Sequence, residues 1–242
     1  MDNISVASNS SGDLFDSSNI VQSPKKHTLP KERTSLILGT SQQVELIENK
    51  LAKKSNVCVN LSKSGARISH LDKEVDRFYT ERSDNCEVVN IILAVGINDI
   101  RYYKRGINHL KFPLLNLINK LKNFFPQAKI YIESVLPIHI KDNFTVNNIM
   151  KYNEMLYNIC IMSQCRYLDT FSLFLLPGTN IRNVALYKGP LSVHLNRRGL
   201  ATLAKMYIYL INNTRFNPLA YRFVLFVNSM YILTPLQREN TL

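Results

Sequence analysis

The chain has 242 residues and a formal net charge of +12, and 45% of its residues are hydrophobic. This length fits one domain of about 200 residues with a tail, and the composition excludes a fibrous or wholly disordered protein. The excess of basic residues favours anionic partners such as nucleic acid, phosphate-bearing substrates or an acidic membrane surface. An AT-rich coding sequence, which enriches Lys and Asn, would explain the same charge.

The cysteines and the start of the chain indicate a cellular location. Cys58, Cys86, Cys160 and Cys165 form no C-x-x-C pair, so we interpret them as reduced thiols rather than as a zinc site. The first residues lack the basic segment followed by an apolar one that marks a secretory signal. The longest apolar stretch, within 223–233, is too short and too interrupted to span a bilayer. We therefore expect an intracellular protein, cytoplasmic or nuclear, without a transmembrane segment.

Hydrophobic patterning divides the chain into three parts. Residues 1–33 are rich in Ser, Asn, Asp, Lys and Pro without a sustained period, which predicts a flexible, partly basic arm. Residues 34–212 alternate apolar runs with helical periodicity and form the predicted domain. Residues 213–242 give no consistent pattern, and we treat them as a C-terminal extension of unknown role.

Within the domain, strand and helix signals alternate along the chain. The predicted strands are 35–39, 57–61, 88–95, 129–136 and 166–168. The predicted helices are 43–54, 68–78, 110–125, 146–162 and 199–211. This order predicts a three-layer α/β/α domain of flavodoxin-like type with a central parallel sheet. In such sheets, functional sites form at the carboxyl ends of the strands.

Four polar clusters lie where the fold would place a site. Gly39–Ser41, Ser64–Arg67 and Gly96–Asp99 each follow a predicted strand, and Leu191–Asn196 precedes the last helix. Together these clusters offer the residue types that acyl transfer requires, so an active site at this edge is the natural hypothesis.

Four residues have the chemistry for named roles. Ser41 is a candidate nucleophile at a strand-to-helix turn, and His194 is a candidate base that would return the proton to the leaving group. The backbone N–H groups of Ser41 and Gly65 and the side-chain amide of Asn98 could hold an oxyanion. The structural alternatives are a helix-capping Ser41 and His194 and a turn-forming Asn98.

The four clusters resemble, in order, the sequence blocks of the SGNH (GDSL-like) hydrolase superfamily. Gly39-Thr40-Ser41 resembles its Gly-Asp-Ser block, Gly65 its second block, Gly96–Asp99 its Gly-x-Asn-Asp block, and His194 its Asp-x-x-His block. The resemblance covers about residues 34–212 and implies a serine esterase with the residue roles given above. The segment 193–200 is similar to SGNH domains of mobile-element and virus-derived proteins, which implies that origin.

Two positions depart from the family pattern. Thr40 replaces an Asp that is not a triad member, so the nucleophile is unaffected. Leu191 stands where the triad Asp would orient the imidazole and stabilise its charged form. Ser192 or a nearby carbonyl is a candidate substitute orienter, whereas Asp99 and Asp169 are expected to be structural.

A basic-aromatic run follows the Asn98 block directly. It consists of Arg101, Tyr102, Tyr103, Lys104 and Arg105. We expect Arg101, Tyr102, Lys104 and Arg105 either to line the mouth of the site, where they would attract an anionic ligand, or to form a solvated loop. His70, His109 and His139 have no metal-ligand spacing, so no metal or cofactor is expected.

Two hypotheses follow for the function. The first is a metal-independent esterase that acts on a small acyl ester, with activity reduced by the departure at Leu191. The second is an inactive SGNH scaffold that binds nucleic acid or self-associates in a mobile-element or viral particle, as the charge and Leu191 allow.

Overall fold

The computed structural model describes residues 31–46, 48–52, 56–103, 106–138 and 143–212. The strands are β1 Glu32–Leu38, β2 Val57–Asn60, β3 Cys86–Leu93, β4 Lys129–Glu133 and β5 Arg166–Leu168. The α-helices are α1 Ser41–Val44, α2 Glu48–Leu51, α3 Ile68–Arg82, α4 Ile97–Tyr103, α5 Lys111–Phe124, α6 Asn143–Met162, α7 Thr170–Leu173 and α8 Arg197–Asn212. Two 3₁₀ helices span Ile107–Leu110 and Val184–Leu186. The predicted arm up to residue 30 and the extension from residue 213 lie outside the described residues.

The strands form one parallel sheet of five strands in the order β2-β1-β3-β4-β5. All carboxyl ends therefore lie at one edge of the sheet. The chain direction across the sheet reverses at β1, whose neighbours are β2 and β3. Ligands of doubly wound sheets bind at such a reversal, outside the carboxyl ends.

Both faces of the sheet are buried, as the continuous apolar strands require. Leu36 and Leu38 of β1 belong to one core cluster, which α3, α5 and α6 cover, whereas Ile37 belongs to a second cluster with α8. Ile92 of β3 and Tyr131 of β4 lie in the second cluster as well. This alternation confirms the predicted three-layer α/β/α architecture.

The sequence-based expectations differ from the structure most clearly at three places. The first strand begins at Glu32, so part of the predicted arm belongs to the sheet. The predicted helix 43–54 is replaced by α1 and α2, each four residues long, because Val44 of the assumed apolar stripe is 45% exposed and has no core to face. The start of the basic-aromatic run is the last turn of α4 rather than a loop, and Lys104 and Arg105 lie outside the described residues.

A glycine makes the sharp turn between β3 and α4. Gly96 has φ +123°, and a Cβ at this position would lie 2.2 Å from Cε1 of the buried Tyr152 ring. The Gly96 carbonyl accepts the Ile100 N–H at 2.9 Å, which starts α4. Only glycine satisfies both the backbone angle and the close approach.

We predict that Gly96→Ala lowers the free energy of unfolding by about 3 kcal/mol or more, from backbone strain and overpacking together. Urea unfolding followed by circular dichroism measures the change. Gly106→Ala is the matched control, because Gly106 is exposed, has φ −53° and has no atom within 4 Å of an added Cβ. Equal stability of the two variants would contradict this account of the turn.

Candidate active site

Ser41 begins α1 directly after β1 and is half-buried. Its hydroxyl lies 3.4 Å from Oε1 of Gln42. Because α1 has only four residues, its dipole is small, and the helix contribution expected at Ser41 is weaker than the sequence suggested.

A buried amide holds the turn from behind. Oε1 of Gln43 accepts the Thr40 N–H at 3.0 Å, and Nε2 of Gln43 donates to Glu133 at 3.5 Å and to the Tyr207 hydroxyl at 3.4 Å. The Tyr207 hydroxyl donates in turn to the second oxygen of Glu133. Gly39 leaves room for this arrangement, since a Cβ there would lie 2.6 Å from Cγ of Gln43.

Glu133 is the buried acid of this network, and its place at the end of an apolar strand did not identify it as a site residue. It ends β4 with 2% of its surface exposed. Burial raises its pKa to about 7, although hydrogen bonds from Tyr207, Thr170 and Gln43 oppose the rise. A carboxylic acid that titrates near neutral pH thus lies behind the Ser41 turn.

The polar clusters Ser64–Arg67 and Gly96–Asp99 contact each other at the carboxyl ends of the strands. Nδ2 of Asn98 donates to the Ala66 carbonyl at 2.9 Å, which joins α4 to the loop that carries Gly65. That loop is tied to the end of β1, because the Lys63 N–H donates to the Gly39 carbonyl at 3.2 Å. Gly65 has φ +72° with no atom within 4 Å of its missing Cβ, and among the described residues the Asn98 amide uses one of its two hydrogens, for Ala66.

Asp99 has a structural position, as expected. Its carboxylate accepts the Ile68 N–H at 3.2 Å and 3.3 Å and so ties the start of α3 to α4. Burial raises its pKa to about 6, while the hydrogen bond from Ile68 and the charge of Arg67 oppose the rise.

His194 lies on the segment that faces Ser41, but its ring is exposed. Nε2 of Gln42 donates to the Val193 carbonyl at 3.3 Å, which brings the two segments into contact. Within the described residues, no hydrogen bond joins Ser41 to His194 or holds the imidazole. Ser192 contacts the backbone N–H of His194 at 3.0 Å rather than the ring, so its hydroxyl does not act as the expected orienter in this conformation.

The remaining residues of the His194 motif have structural roles. Leu195 is buried, and Asn196 caps α8 by accepting the N–H groups of Arg198 and Gly199 at 2.9 Å and 3.1 Å. A Cβ on Gly199 would lie 2.2 Å from the Leu186 carbonyl oxygen. These residues dock α8, so they are explained without catalysis.

The position of the missing acid is open to solvent. Leu191 is 62% exposed. Asp169 accepts the backbone N–H and the hydroxyl of Ser172 at 3.1 Å and 2.6 Å, and so it caps α7, the structural role expected for it.

The mouth candidates that the structure describes lie beside the Gly65 loop. Arg101 is exposed, and the Tyr102 side chain is 67% exposed. The Arg67 guanidinium lies 4.1 Å from the centroid of the Tyr102 ring, a cation–π contact that joins α4 to the start of α3.

A small cavity of about 20 Å³ lies beside the Ser41 turn, with room for about one water molecule. Its walls come from the ends of β1, β3 and β4, and they are largely apolar apart from Glu133 and its neighbours. They consist of Thr40, Gln42, Gln43, Ala94, Val95, Ile97, Glu133, Ser134, Val135, Leu136 and Ile138.

In the part of the chain that the structure describes, no group of three or more His, Cys, Asp or Glu side chains is arranged to hold a metal ion. Over the same residues, no helix combines the length and hydropathy needed to cross a bilayer.

Comparison with known proteins gives structural matches only. No protein-family model and no curated protein matches the sequence. A carbohydrate acetylesterase from Sinorhizobium meliloti matches with a TM-score of 0.58 and 11% identity, over 74% of this chain and 98% of that one. An acetylxylan esterase from Geobacillus stearothermophilus gives 0.57 and 15% over 78% and 99%. A member of the lipolytic G-D-S-L family from Veillonella parvula gives 0.60 and 16% over 76% and 100%.

These likenesses show that the chain has the fold of GDSL-like lipases and acetylesterases. At identities this low they show the fold alone. The mobile-element or viral origin suggested by residues 193–200 stays a prediction.

We predict that Glu133→Gln weakens the pH dependence of stability. Because folding raises the pKa of Glu133 from 4.5 to about 7, wild-type stability falls as pH rises across that window, by up to roughly 3 kcal/mol. Gln carries no proton to lose, so the drop in melting temperature between pH 5 and pH 8.5 should be smaller. The exposed Glu81→Gln on α3 is the control, and an equal drop in both variants would contradict the burial argument.

Proposed function

We propose that the protein is a serine esterase of SGNH type with Ser41 as its nucleophile. The observation that carries the proposal is the meeting of three loops at the carboxyl edge of the sheet. The Ser41 turn, the Gly65 loop and the start of α4 at Asn98 are tied together by two hydrogen bonds, from Lys63 to Gly39 and from Asn98 to Ala66. The esterase fold of the matched structures supports the same reading.

The proposed reaction uses only protein groups, without metal or cofactor. Ser41 Oγ attacks the ester carbonyl carbon while His194 takes its proton, and the alcohol leaves with that proton. Water then attacks the acyl-enzyme, and the Ser41 oxygen leaves as the hydroxyl. The oxyanion of each step would accept hydrogen bonds from the N–H groups of Ser41 and Gly65 and from the Asn98 amide.

A small acyl group suits the space beside Ser41. The cavity of about 20 Å³ between Thr40, Gln42 and Val135 has room for little more than a methyl group. We therefore propose an acetyl ester, or one of similar size, as the substrate.

His194 must turn toward Ser41 for this chemistry, since no hydrogen bond joins the two in the described structure. The contact between Gln42 and the Val193 carbonyl keeps the segment within reach. With Leu191 in place of an acid, no described group accepts a hydrogen bond from the imidazole, and loss of such an acid costs about 10⁴-fold in serine proteases. We infer a slow enzyme.

Hydrolysis of p-nitrophenyl acetate tests the assignment directly. Ser41→Ala and His194→Ala should each reduce kcat/KM by at least about 10²-fold, because each removes one half of the nucleophile-base pair. Ser172→Ala is the matched control, as its hydroxyl contacts only Asp169 among the described residues, and it should retain wild-type activity. Equal rates for wild type and Ser41→Ala would refute the esterase proposal.

Leu191→Asp should increase kcat by about tenfold or more, because an acid three residues before His194 can orient and charge-stabilise its ring. The change costs little stability at an exposed position. Leu191→Asn has nearly the same shape without the charge and is the control. An Asp variant no faster than the Asn variant would show that position 191 does not act on His194.

The second candidate function is an SGNH scaffold without turnover. Leu191 and the unsupported His194 ring favour it. Such a protein would act inside the cell, by binding nucleic acid or by self-association, in a mobile-element or viral particle. Its affinity for nucleic acid would fall steeply with salt, because each phosphate contact releases counterions.

A further inference from the structure

Basic side chains surround the loop that carries Gly65. Lys63 lies at its start, Arg67 at its end, and Lys73 on the next turns of α3, while Arg101 lies on α4, which Asn98 ties to the loop. The Arg67 guanidinium is 3.4 Å from Nε2 of His70. Burial lowers the pKa of His70, and the charges of Arg67, Lys63 and Lys73 lower it further, so these three cations lie close enough to act on the same ring.

The acids of this region do not neutralise that field. Asp72 and Asp76 pair with Lys120 at 2.8 Å and 2.9 Å, and Glu74 pairs with Arg77. Among the described residues, no carboxylate comes within ion-pair distance of the Lys63, Lys73 or Arg101 side chains.

The acid nearest the loop is Asp99, which is buried and hydrogen-bonded. Asp99 is buried beneath Arg67, and its carboxylate accepts the Ile68 N–H. Asp99 therefore offsets part of the Arg67 charge, whereas an anion that arrives from solvent meets the charges of Lys63, Lys73 and Arg101, which no described carboxylate pairs with.

The opposite side of the site is unsuited to an anion. The small cavity beside the Ser41 turn has mostly apolar walls and room for about one water molecule, so a charged group that entered it would lose its hydration. An anionic group on the acyl part of an ester would have to enter this space. The same group on the alcohol part would instead stay on the solvent side of the site, where the exposed Lys63 and Arg101 lie.

We propose that the preferred substrates are esters of a small acyl group with an alcohol that bears an anionic group, such as a carboxylate or a phosphate. Lys63, Arg67 and Arg101 are the specificity-determining residues. The exposed ring of Tyr102 gives an aromatic alcohol a surface to stack on. This inference rests on the proposed esterase function.

Two esters of nearly equal shape test the inference. 4-Acetoxybenzoate carries a carboxylate where 4-acetoxybenzamide carries a neutral amide, and both release acetate. The measured quantity is the ratio of their kcat/KM values, each corrected for the uncatalysed rate of the same ester. Wild type should favour the benzoate at low salt, and the preference should shrink toward 1 as salt rises.

Removal of single charges should lower that ratio stepwise. Lys63→Gln and Arg101→Gln should each lower it about twofold to fivefold, as expected for exposed ion pairs, and the double variant on the order of tenfold. Lys205→Gln on α8 removes an exposed charge from the other layer and should leave the ratio unchanged. Equal melting temperatures of the variants show that they fold alike.

The possible outcomes distinguish a failure of the substrate inference from a failure of the esterase proposal. Ser41-dependent hydrolysis with a wild-type ratio near 1, or with a ratio that Lys63→Gln and Arg101→Gln leave unchanged, refutes the inference while the esterase proposal stands. Hydrolysis that Ser41→Ala does not affect refutes both. A short single-stranded oligonucleotide that binds through Lys63 and Arg101, without any discrimination between the esters, assigns the cluster to nucleic acid and also overturns the inference.

Discussion

The orientation of one buried amide fixes the turn on which the proposed chemistry depends. Gln43 presents its oxygen to the Thr40 N–H and its nitrogen to Glu133 and Tyr207. A flipped amide would face donor with donor at Thr40 and leave a buried N–H without an acceptor, which costs about 1–3 kcal/mol. The backbone that carries Ser41 is thus held by a capping bond of α1 whose side chain, Gln43, is itself fixed by Glu133 and Tyr207.

The same turn also holds Thr40, the residue before the proposed nucleophile. The Thr40 hydroxyl donates to Oε1 of Gln42 at 2.7 Å, and Nε2 of Gln42 donates to the Val193 carbonyl. Two successive glutamines therefore have different partners. Gln43 binds the turn to Glu133 and Tyr207 in the interior, and Gln42 binds it to the segment before His194. The segment that carries Ser41 and the segment that carries His194 are therefore linked through the side chain of Gln42.

The features that local sequence controls were predictable, and those that distant contacts control were not. Apolar strands and polar residues after them predicted the sheet and placed Ser41, Gly65 and Asn98 at its carboxyl edge. The prediction of the first helix was wrong because hydrophobic periodicity could not show that the Val44 side chain is exposed rather than packed in the core. Glu133 was missed because its role arises from Gln43, 90 residues earlier, and from α8, although an acid that ends an apolar strand was a usable signal.

The site has basic side chains on one side and a buried carboxyl group on the other, and this arrangement suits the proposed reaction. Ester hydrolysis creates negative charge on the carbonyl oxygen, which would lie near Gly65 and Asn98, on the side of Lys63 and Arg67. Glu133 lies on the other side, and burial keeps much of it protonated near neutral pH. A fully ionised Glu133 would oppose the oxyanion, because charges in a buried environment interact more strongly than charges in water. The burial that makes Glu133 a weak acid therefore allows one side chain to brace the Ser41 turn without opposing the charge that forms in front of it.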